Sequence, residues 1–163
     1  GSLREQIEPG HFVFPDQFID RTTKRINTFF DGSDVQHVSM GSPFNSQLRA
    51  CLVASCNELG FACHDGGTVV TIEGPRFSTK AESMMFRSWG CDVINMSTVP
   101  EVVLAREKEL EYQAIAMSTD YDCWHESEEE VTMEMIYAVM AKNVDNVKKL
   151  LEHAVPRIKQ NHG

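Results

Sequence analysis

Three short polar segments contain the residue types that could do chemistry in this chain. They are Phe77-Ser78, Met96-Ser97 and Thr119-Asp120-Tyr121-Asp122. Each lies beyond the C-terminal end of an apolar run that is typical of a buried strand, Phe77-Ser78 after an irregular corner at residues 73–76. In an open α/β sheet, ligands bind beyond the carboxyl ends of the strands, so we expect these segments to meet around one site.

Asp120 and Asp122 are the candidates for proton transfer. In extended backbone, side chains two positions apart project from the same face. Two close carboxylates repel each other and burial disfavours ionisation, so one of the pair could hold a proton at neutral pH. Such a group could act as the general acid for a nitrogen leaving group. The alternative is that both are loop caps in contact with water, because aspartate is a common turn former.

Ser97 is the candidate for anion binding. Residues 93–96 are predicted as a strand, Thr98 lies three positions before Glu101 at capping-box spacing, and Pro100 falls in the first turn of a helix. A strand that ends at a helix N-terminus leaves unpaired N–H groups and the positive end of the helix dipole facing outward. That arrangement favours anions such as phosphate. The alternative is that this corner binds nothing, since a fold does not by itself imply a site.

Helices and short strands alternate along the chain. Apolar spacing and caps predict helices over residues 46–59, 79–89 and 132–154, with Pro156 expected to end the last one. Strands are predicted at residues 11–14, 61–63, 68–72 and 112–117, in addition to 93–96. Asp65-Gly66-Gly67 is interpreted as a hairpin-type turn. The predicted class is α/β, with a mixed central sheet flanked by helices in three layers, the hairpin making the sheet mixed.

Three segments are predicted as loops. Residues 1–10 contain a turn at Glu8-Pro9-Gly10, and residues 126–130 form an acidic run that is simplest as a solvated loop. Residues 16–44 are long, polar and interrupted by glycines. A loop of that length in a compact domain is typical of a functional or interface segment.

Composition excludes several classes of function. The net charge of −9 argues against a nucleic-acid partner, which needs a basic face. The sequence has neither an apolar run of about 18 residues nor a signal-peptide pattern, so no membrane partner is predicted. The five cysteines form no Cys-x-x-Cys pair and the histidines are not at metal-ligand spacing, so we expect no metal and a reducing, cytoplasmic or nuclear setting.

Three ordered motifs carry a resemblance to a known family. They are Thr71-Ile-Glu-Gly-Pro-Arg-Phe-Ser78, Asp92-Val-Ile-Asn-Met-Ser-Thr-Val-Pro-Glu-Val102 and Ser118-Thr-Asp-Tyr-Asp-Cys-Trp124. Together they closely resemble the methylthioadenosine phosphorylases, trimeric members of the purine nucleoside phosphorylase family. The opening Gly-Ser-Leu-Arg and residues 16–22 match as well, so the likeness covers nearly the whole chain up to its last helix.

The resemblance implies phosphorolysis, in which phosphate attacks the ribosyl anomeric carbon while the purine leaves. Inorganic phosphate is then a co-substrate and no cofactor is needed. Asp120 would hold or protonate the five-membered-ring nitrogen of the purine, with Asp122 supporting it. Ser97, where the family usually has threonine, would hydrogen-bond the phosphate, and Gly1 would lie on the phosphate side.

The resemblance also implies roles for residues around the nucleoside. Met96 would pack on the ribose and Phe77 would line the base, with Tyr121 among the substrate-binding residues. Ser78, which replaces the glutamate of guanine-type relatives, favours adenine. Met133 would lie where the family sets the size of the alkylthio pocket and typically has valine, and Ile136 would be among the substrate-binding residues. His37 would reach the site of a neighbouring subunit in a homotrimer.

The resemblance further places parts of the family's sequence outside this chain. A glycine-rich phosphate loop would precede Gly1, and a C-terminal helix would follow. We therefore expect residues 1–163 to form a single α/β domain that is inactive, or nearly so, by itself. Two alternatives remain open: a nucleosidase that uses water instead of phosphate, and an inactive fragment that serves as an interaction module.

Overall fold

The structure is a computed structural model that describes residues 1–126 and 132–161. The predicted acidic loop at residues 126–130 lies outside the described residues, apart from Glu126. Strands and helices alternate, which confirms the predicted α/β class. In chain order they are β1 (Phe12–Phe14), β2 (Gln17–Arg21), α1 (Ser46–Glu58), β3 (Cys63–Asp65), β4 (Thr68–Ile72), α2 (Lys80–Ser88), β5 (Val93–Asn95), α3 (Thr98–Glu107), β6 (Ala116–Met117) and α4 (Met133–Asn161).

The strands form two three-stranded sheets rather than one. The first has the order β2-β4-β5 and is parallel throughout. The second has the order β3-β1-β6, with β3 parallel and β6 antiparallel to β1. The two sheets adjoin at two connections, β1 to β2 and β3 to β4. These connections run side by side, and each carries the chain from the second sheet to the first.

The predicted hairpin at Asp65-Gly66-Gly67 is wrong. Gly66 and Gly67 do have positive φ angles of 87° and 113°, as a turn requires. However, the Gly66 N–H donates to the Phe14 carbonyl (2.9 Å) and the Gly67 carbonyl accepts from the Asp16 N–H (3.0 Å). The glycines therefore bend the connection between β3 and β4, which runs alongside the one between β1 and β2, but they do not reverse the chain. The antiparallel pairing that makes the second sheet mixed comes from β6. Parallel pairing with β4 also orders residues 17–21, where the sequence predicts a loop.

The first residues of the chain, also predicted as loop, pair with two strands at once. Ser2 is fully buried and bridges Val93 on one side and Tyr121 on the other. Its N–H donates to the Asp120 carbonyl (2.7 Å) and its carbonyl accepts from the Asp122 N–H (2.9 Å). This segment thereby joins β5 to the residues that follow β6.

Helix α4 continues through Pro156 to Asn161, so the predicted stop at Pro156 is wrong. Contacts with α1 on both sides of the proline explain why. Leu150 and Ala154 are fully buried in the cluster that also contains Leu52 and Cys56 of α1. Beyond the proline, the Arg157 guanidinium donates to both carboxylate oxygens of Glu58 (2.9 and 2.6 Å).

The buried face of α4 includes Leu150, which is fully buried. Leu151 and Val144, which would extend an apolar stripe along the helix, are exposed. Nearer the N-terminus of α4, Met133 and Ile136 line a cavity rather than packing on a second helix. Among the described residues, no helix combines the length and the apolar character needed to cross a bilayer.

Two neighbouring leucines test how α4 packs on α1. We expect Leu150→Ala to lower the free energy of unfolding by about 2–5 kcal/mol, because it opens a cavity in a filled core. The matched control Leu151→Ala removes the same atoms from a side chain that is 42% exposed and should change stability by less than about 1 kcal/mol. Urea unfolding of both variants measures the difference. Equal losses would contradict this packing.

Candidate active site

A cavity of about 590 Å³ lies where the carboxyl ends of β4, β5 and β6 face α4. The three polar segments singled out in the sequence all reach it, as expected for strand ends in an α/β fold. The predicted site residues in its lining are Gly1, Phe77, Ser78, Met96, Ser97, Asp120, Asp122, Met133 and Ile136. Most of the remaining lining is apolar, including Ile115, Met117 and Met140.

The two aspartates each have a hydroxyl donor of their own. The Ser78 hydroxyl donates to both carboxylate oxygens of Asp122 (3.2 and 3.0 Å), and Asp122 is only 8% exposed. The Thr119 hydroxyl donates to Asp120 Oδ1 (2.5 Å). A hydroxyl that donates to a carboxylate stabilises its negative charge. Asp122 is therefore held by the protein, while Asp120 is partly exposed and lines the cavity.

Gly1 lies between this aspartate pair and Ile94 of β5. A Cβ added at Gly1 would come within 3.2 Å of Asp120 Oδ2 and 3.5 Å of the Asp122 Cβ. The close approach explains why glycine suits this position. The Gly1 carbonyl also accepts from the Ile94 N–H (2.9 Å), which fixes its distance from β5.

Met96 is placed by a second glycine. Gly74 follows β4 with a φ of +69°, and a Cβ there would come within 2.6 Å of the Met96 sulfur. Glycine at position 74 therefore lets the Met96 side chain fold over the end of β4. On the same side of the cavity, Phe77 is 50% exposed and presents its ring to the open space.

The Ser78 corner is fixed by the first turn of α2, where the predicted capping box is confirmed. The Thr79 hydroxyl accepts from the Glu82 N–H (3.1 Å), and the Glu82 carboxylate accepts from the Thr79 N–H (2.7 Å). The Arg76 guanidinium donates to both oxygens of Glu82 (2.7 and 2.8 Å). These bonds, first from Arg76 and then from Thr79, lower the pKa of Glu82 to about 2.

The capping box predicted at Thr98 and Glu101 is wrong. The Thr98 hydroxyl accepts from the Asn95 amide (2.7 Å), and Glu101 accepts instead from the Tyr112 hydroxyl (2.7 Å). Val99 is extended (φ −100°, ψ 131°), so helical backbone resumes only at Pro100, which has no N–H to offer. The predicted cap therefore does not organise this corner, where the side chain of Ser97 is exposed.

Two predicted site residues lie away from the cavity lining. The Tyr121 hydroxyl donates to the Glu5 carbonyl (2.9 Å), and its ring stacks on His125 with centroids 4.4 Å apart. His37 is exposed in the irregular segment of residues 22–45. Within the described parts of the chain, no cluster of three or more histidine, cysteine, aspartate or glutamate side chains could hold a metal ion.

Sequence reasoning gave no role to three further residues that line the cavity. Asn95, Thr119 and Met140 all line the cavity, and Thr119 bonds Asp120 directly. Asn95 had a recognisable signal, because an asparagine two residues before a corner often accepts from the backbone there. Thr119 and Met140 had none, since a hydroxyl or a thioether in such a segment has many common roles.

Comparison with known proteins identifies the family. Residues 1–156 match the family model described as phosphorylase superfamily. The chain belongs to this superfamily. It is 54% identical over 165 residues to S-methyl-5'-thioadenosine phosphorylase of Danio rerio, an alignment that covers 98% of this chain and 59% of the relative. The chain thus spans about three fifths of the length of the curated relatives it matches.

Solved structures of superfamily members superpose closely on this chain. Methylthioadenosine phosphorylase from Schistosoma mansoni in complex with adenine is 39% identical, with a TM-score of 0.93 over 98% of this chain and 63% of that one. A single-residue mutant of the adenosine/methylthioadenosine phosphorylase from the same organism, in complex with methylthioadenosine, is 38% identical. Its TM-score is 0.87 over 98% of this chain and 62% of that one.

The capping box at the Ser78 corner predicts a dependence of stability on acid. The pKa of Glu82 is lowered in the folded chain, so its stabilising effect is complete above about pH 4.5 and is lost as the pH falls toward 2. We expect Glu82→Gln to be less stable than the parent at pH 6, with the difference shrinking as the pH approaches 2. Thermal unfolding across this range measures it, with Glu134→Gln on α4 as control. A difference that stays constant with pH would contradict the assignment.

Proposed function

We propose that this chain carries the purine- and ribose-binding side of a methylthioadenosine phosphorylase. Such an enzyme is a pentosyltransferase that cleaves methylthioadenosine with phosphate to adenine and methylthioribose-1-phosphate, in purine and methionine salvage. The observation that carries the proposal is the cavity in which Asp120, Asp122 and Ser97 meet at adjoining strand ends. Superfamily membership and the relatives bound to adenine and methylthioadenosine support the choice of substrate.

The aspartates suit a 6-amino purine. A carboxylate can accept a hydrogen bond from an exocyclic amine, whereas a 6-oxo group would repel it. Asp120, which lines the cavity and is partly exposed, would contact the base and share a proton with the ring nitrogen as the bond to ribose breaks. Asp122, which accepts from the Ser78 hydroxyl, would support it. Stabilising the leaving purine in this way lowers the barrier to C–N cleavage.

The apolar part of the cavity suits the alkylthio group. Met133, Ile136 and Met140 line it from α4, and Met96, which also lines it, would cover the side toward the ribose. Flexible thioether side chains adapt to a methylthio group and make favourable contacts with it. Burying that group in such surroundings stabilises binding by roughly 0.8 kcal/mol for each methyl or methylene.

Phosphate would bind at Ser97 and near Gly1, with further donors supplied from outside this chain. Each charge-assisted hydrogen bond contributes about 1.5–3 kcal/mol, so the Ser97 hydroxyl alone would hold a phosphate dianion weakly. Phosphate serves as co-substrate, and the reaction needs no other cofactor. The Ser97 hydroxyl favours this chemistry over hydrolysis by water, which needs no anion site.

We further propose that the enzyme is a homotrimer located in the cytoplasm or nucleus. The long irregular segment of residues 22–45, with Phe29 and Val35 exposed, offers an apolar surface for a second subunit. His37 lies in that segment and could reach a neighbour's cavity. All five cysteines are free thiols, which fits a reducing compartment.

Phosphate dependence separates the candidate functions. We expect the 163-residue chain alone to release little or no adenine from methylthioadenosine. Joined to the segment that precedes the matched region in the Danio rerio relative, it should release adenine only when phosphate is present. Chromatography of the products measures both. Adenine release without phosphate would instead establish a nucleosidase, and no release by either protein would favour an interaction module.

The role of Asp120 can be tested by one substitution. We expect Asp120→Asn in the joined protein to lower kcat/KM for methylthioadenosine about tenfold or more, because a charge-assisted bond to the base is lost. Asp145→Asn, on the exposed surface of α4, is the matched control and should have no effect. If Asp120→Asn leaves turnover intact, the role given to Asp120 is wrong.

A further inference from the structure

A short chain of polar side chains runs from the buried sheet to the Ser97 corner. Thr71 on β4 and Asn95 on β5 are paired in the parallel register, so their side chains share one face of the sheet. The Thr71 hydroxyl, which is fully buried, donates to Asn95 Oδ1 (3.0 Å). The Asn95 amide is thereby anchored from the interior side.

The same amide organises the backbone that follows β5. Asn95 Nδ2 donates to the Thr98 hydroxyl (2.7 Å), and Asn95 Oδ1 accepts long hydrogen bonds from the N–H groups of Ser97 and Thr98 (3.4 Å each). An amide suits this position because it has a donor and an acceptor at fixed separation. A carboxylate at position 95 would lose the donor and add a charge.

These bonds determine what the corner can offer to a ligand. The backbone N–H groups of Ser97 and Thr98 both point toward Asn95, and Pro100 has none. Thr98 is almost fully buried, with its hydroxyl bonded to Asn95. Ser97 is exposed at the cavity, where its side chain can meet an anion.

We propose that Asn95 is a positioning residue for phosphate, which sets the direction of the Ser97 side chain through the Thr71–Asn95–Thr98 chain of hydrogen bonds. The proposal rests on the phosphorylase function proposed above. Positioning of this kind matters because a displacement of about 1 Å in a reacting site can slow a reaction about a hundredfold. Asn95 itself lines the cavity, so a direct contact with substrate is the competing explanation. Thr71 does not line it, and substitutions there separate the two.

The first test follows the backbone by amide hydrogen exchange in the 163-residue chain. In Asn95→Ala, the Ser97 and Thr98 amides should exchange at least about tenfold faster, while Val70 in β4 is unchanged. Thr71→Val should show a smaller increase at the same two amides, and Thr71→Ser, which keeps the hydroxyl, should match the parent. Unchanged exchange in Asn95→Ala would overturn the positioning role.

The second test measures kinetics in the chain joined to the preceding segment of the Danio rerio relative. In Asn95→Ala and Thr71→Val, the KM for phosphate should rise at least about tenfold and about threefold respectively. The KM for methylthioadenosine should change less than about twofold, and Thr71→Ser should restore the parent values. A rise in both KM values together, or an effect of Asn95→Ala with none of Thr71→Val, would overturn the proposal. Absence of turnover in the parent would overturn the phosphorylase function instead, and exchange would still decide the role of Asn95.

Discussion

The cavity depends on one constraint, the pairing of Ser2 with the start of β5 and with the residues that follow β6. The Ser2 carbonyl accepts from both the Asp122 N–H (2.9 Å) and the Trp124 indole (2.8 Å). On the other edge, Leu3 donates to the Asp92 carbonyl (2.9 Å) at the start of β5. The aspartate pair and the Ser97 corner come from segments more than twenty residues apart. The segment of residues 1–3, bonded to both, sets the distance between them. Buried backbone groups that lost these partners would be costly, so the spacing is rigid.

A second layer of contacts holds that segment in place. The Arg87 guanidinium lies 3.4 Å from the centre of the Trp124 ring and donates to the Leu3 carbonyl. A cation over an aromatic face is stabilising, most of all where water is excluded. Helix α2 therefore acts at both of its ends: its N-terminal cap fixes the Ser78 corner, and Arg87 near its C-terminus secures the segment beside Asp120.

Local signals in the sequence predicted much of this arrangement. The apolar runs before Ser78, Ser97 and Asp120 correctly located three strand ends at one cavity, because the carboxyl ends of these strands meet in an α/β fold. The capping box of α2 was predictable because both of its partners lie within one turn. In contrast, the cap at Thr98 failed because Asn95, held by Thr71 from a different strand, competes for the same hydroxyl.

Other features depend on partners that local patterns cannot supply. The glycines at positions 66 and 67 would suit a hairpin equally well, and only the neighbouring β1–β2 segment decides against it. Pro156 usually ends a helix, yet the burial of Ala154 before it and the Arg157–Glu58 ion pair after it outweigh the lost hydrogen bond. The burial of Ser2 could not be inferred either, because nothing in Gly-Ser-Leu-Arg has the alternation of a strand.

If this chain forms the adenine side of a phosphorylase site, it must discriminate between purine bases. Calorimetric titration of the 163-residue chain with adenine and with hypoxanthine compares a 6-amino with a 6-oxo purine at the Asp120–Asp122 pair. We expect one adenine site, with hypoxanthine bound at least about tenfold more weakly because a hydrogen bond to a carboxylate is replaced by repulsion. Equal affinity for the two bases, or binding of hypoxanthine alone, would contradict it.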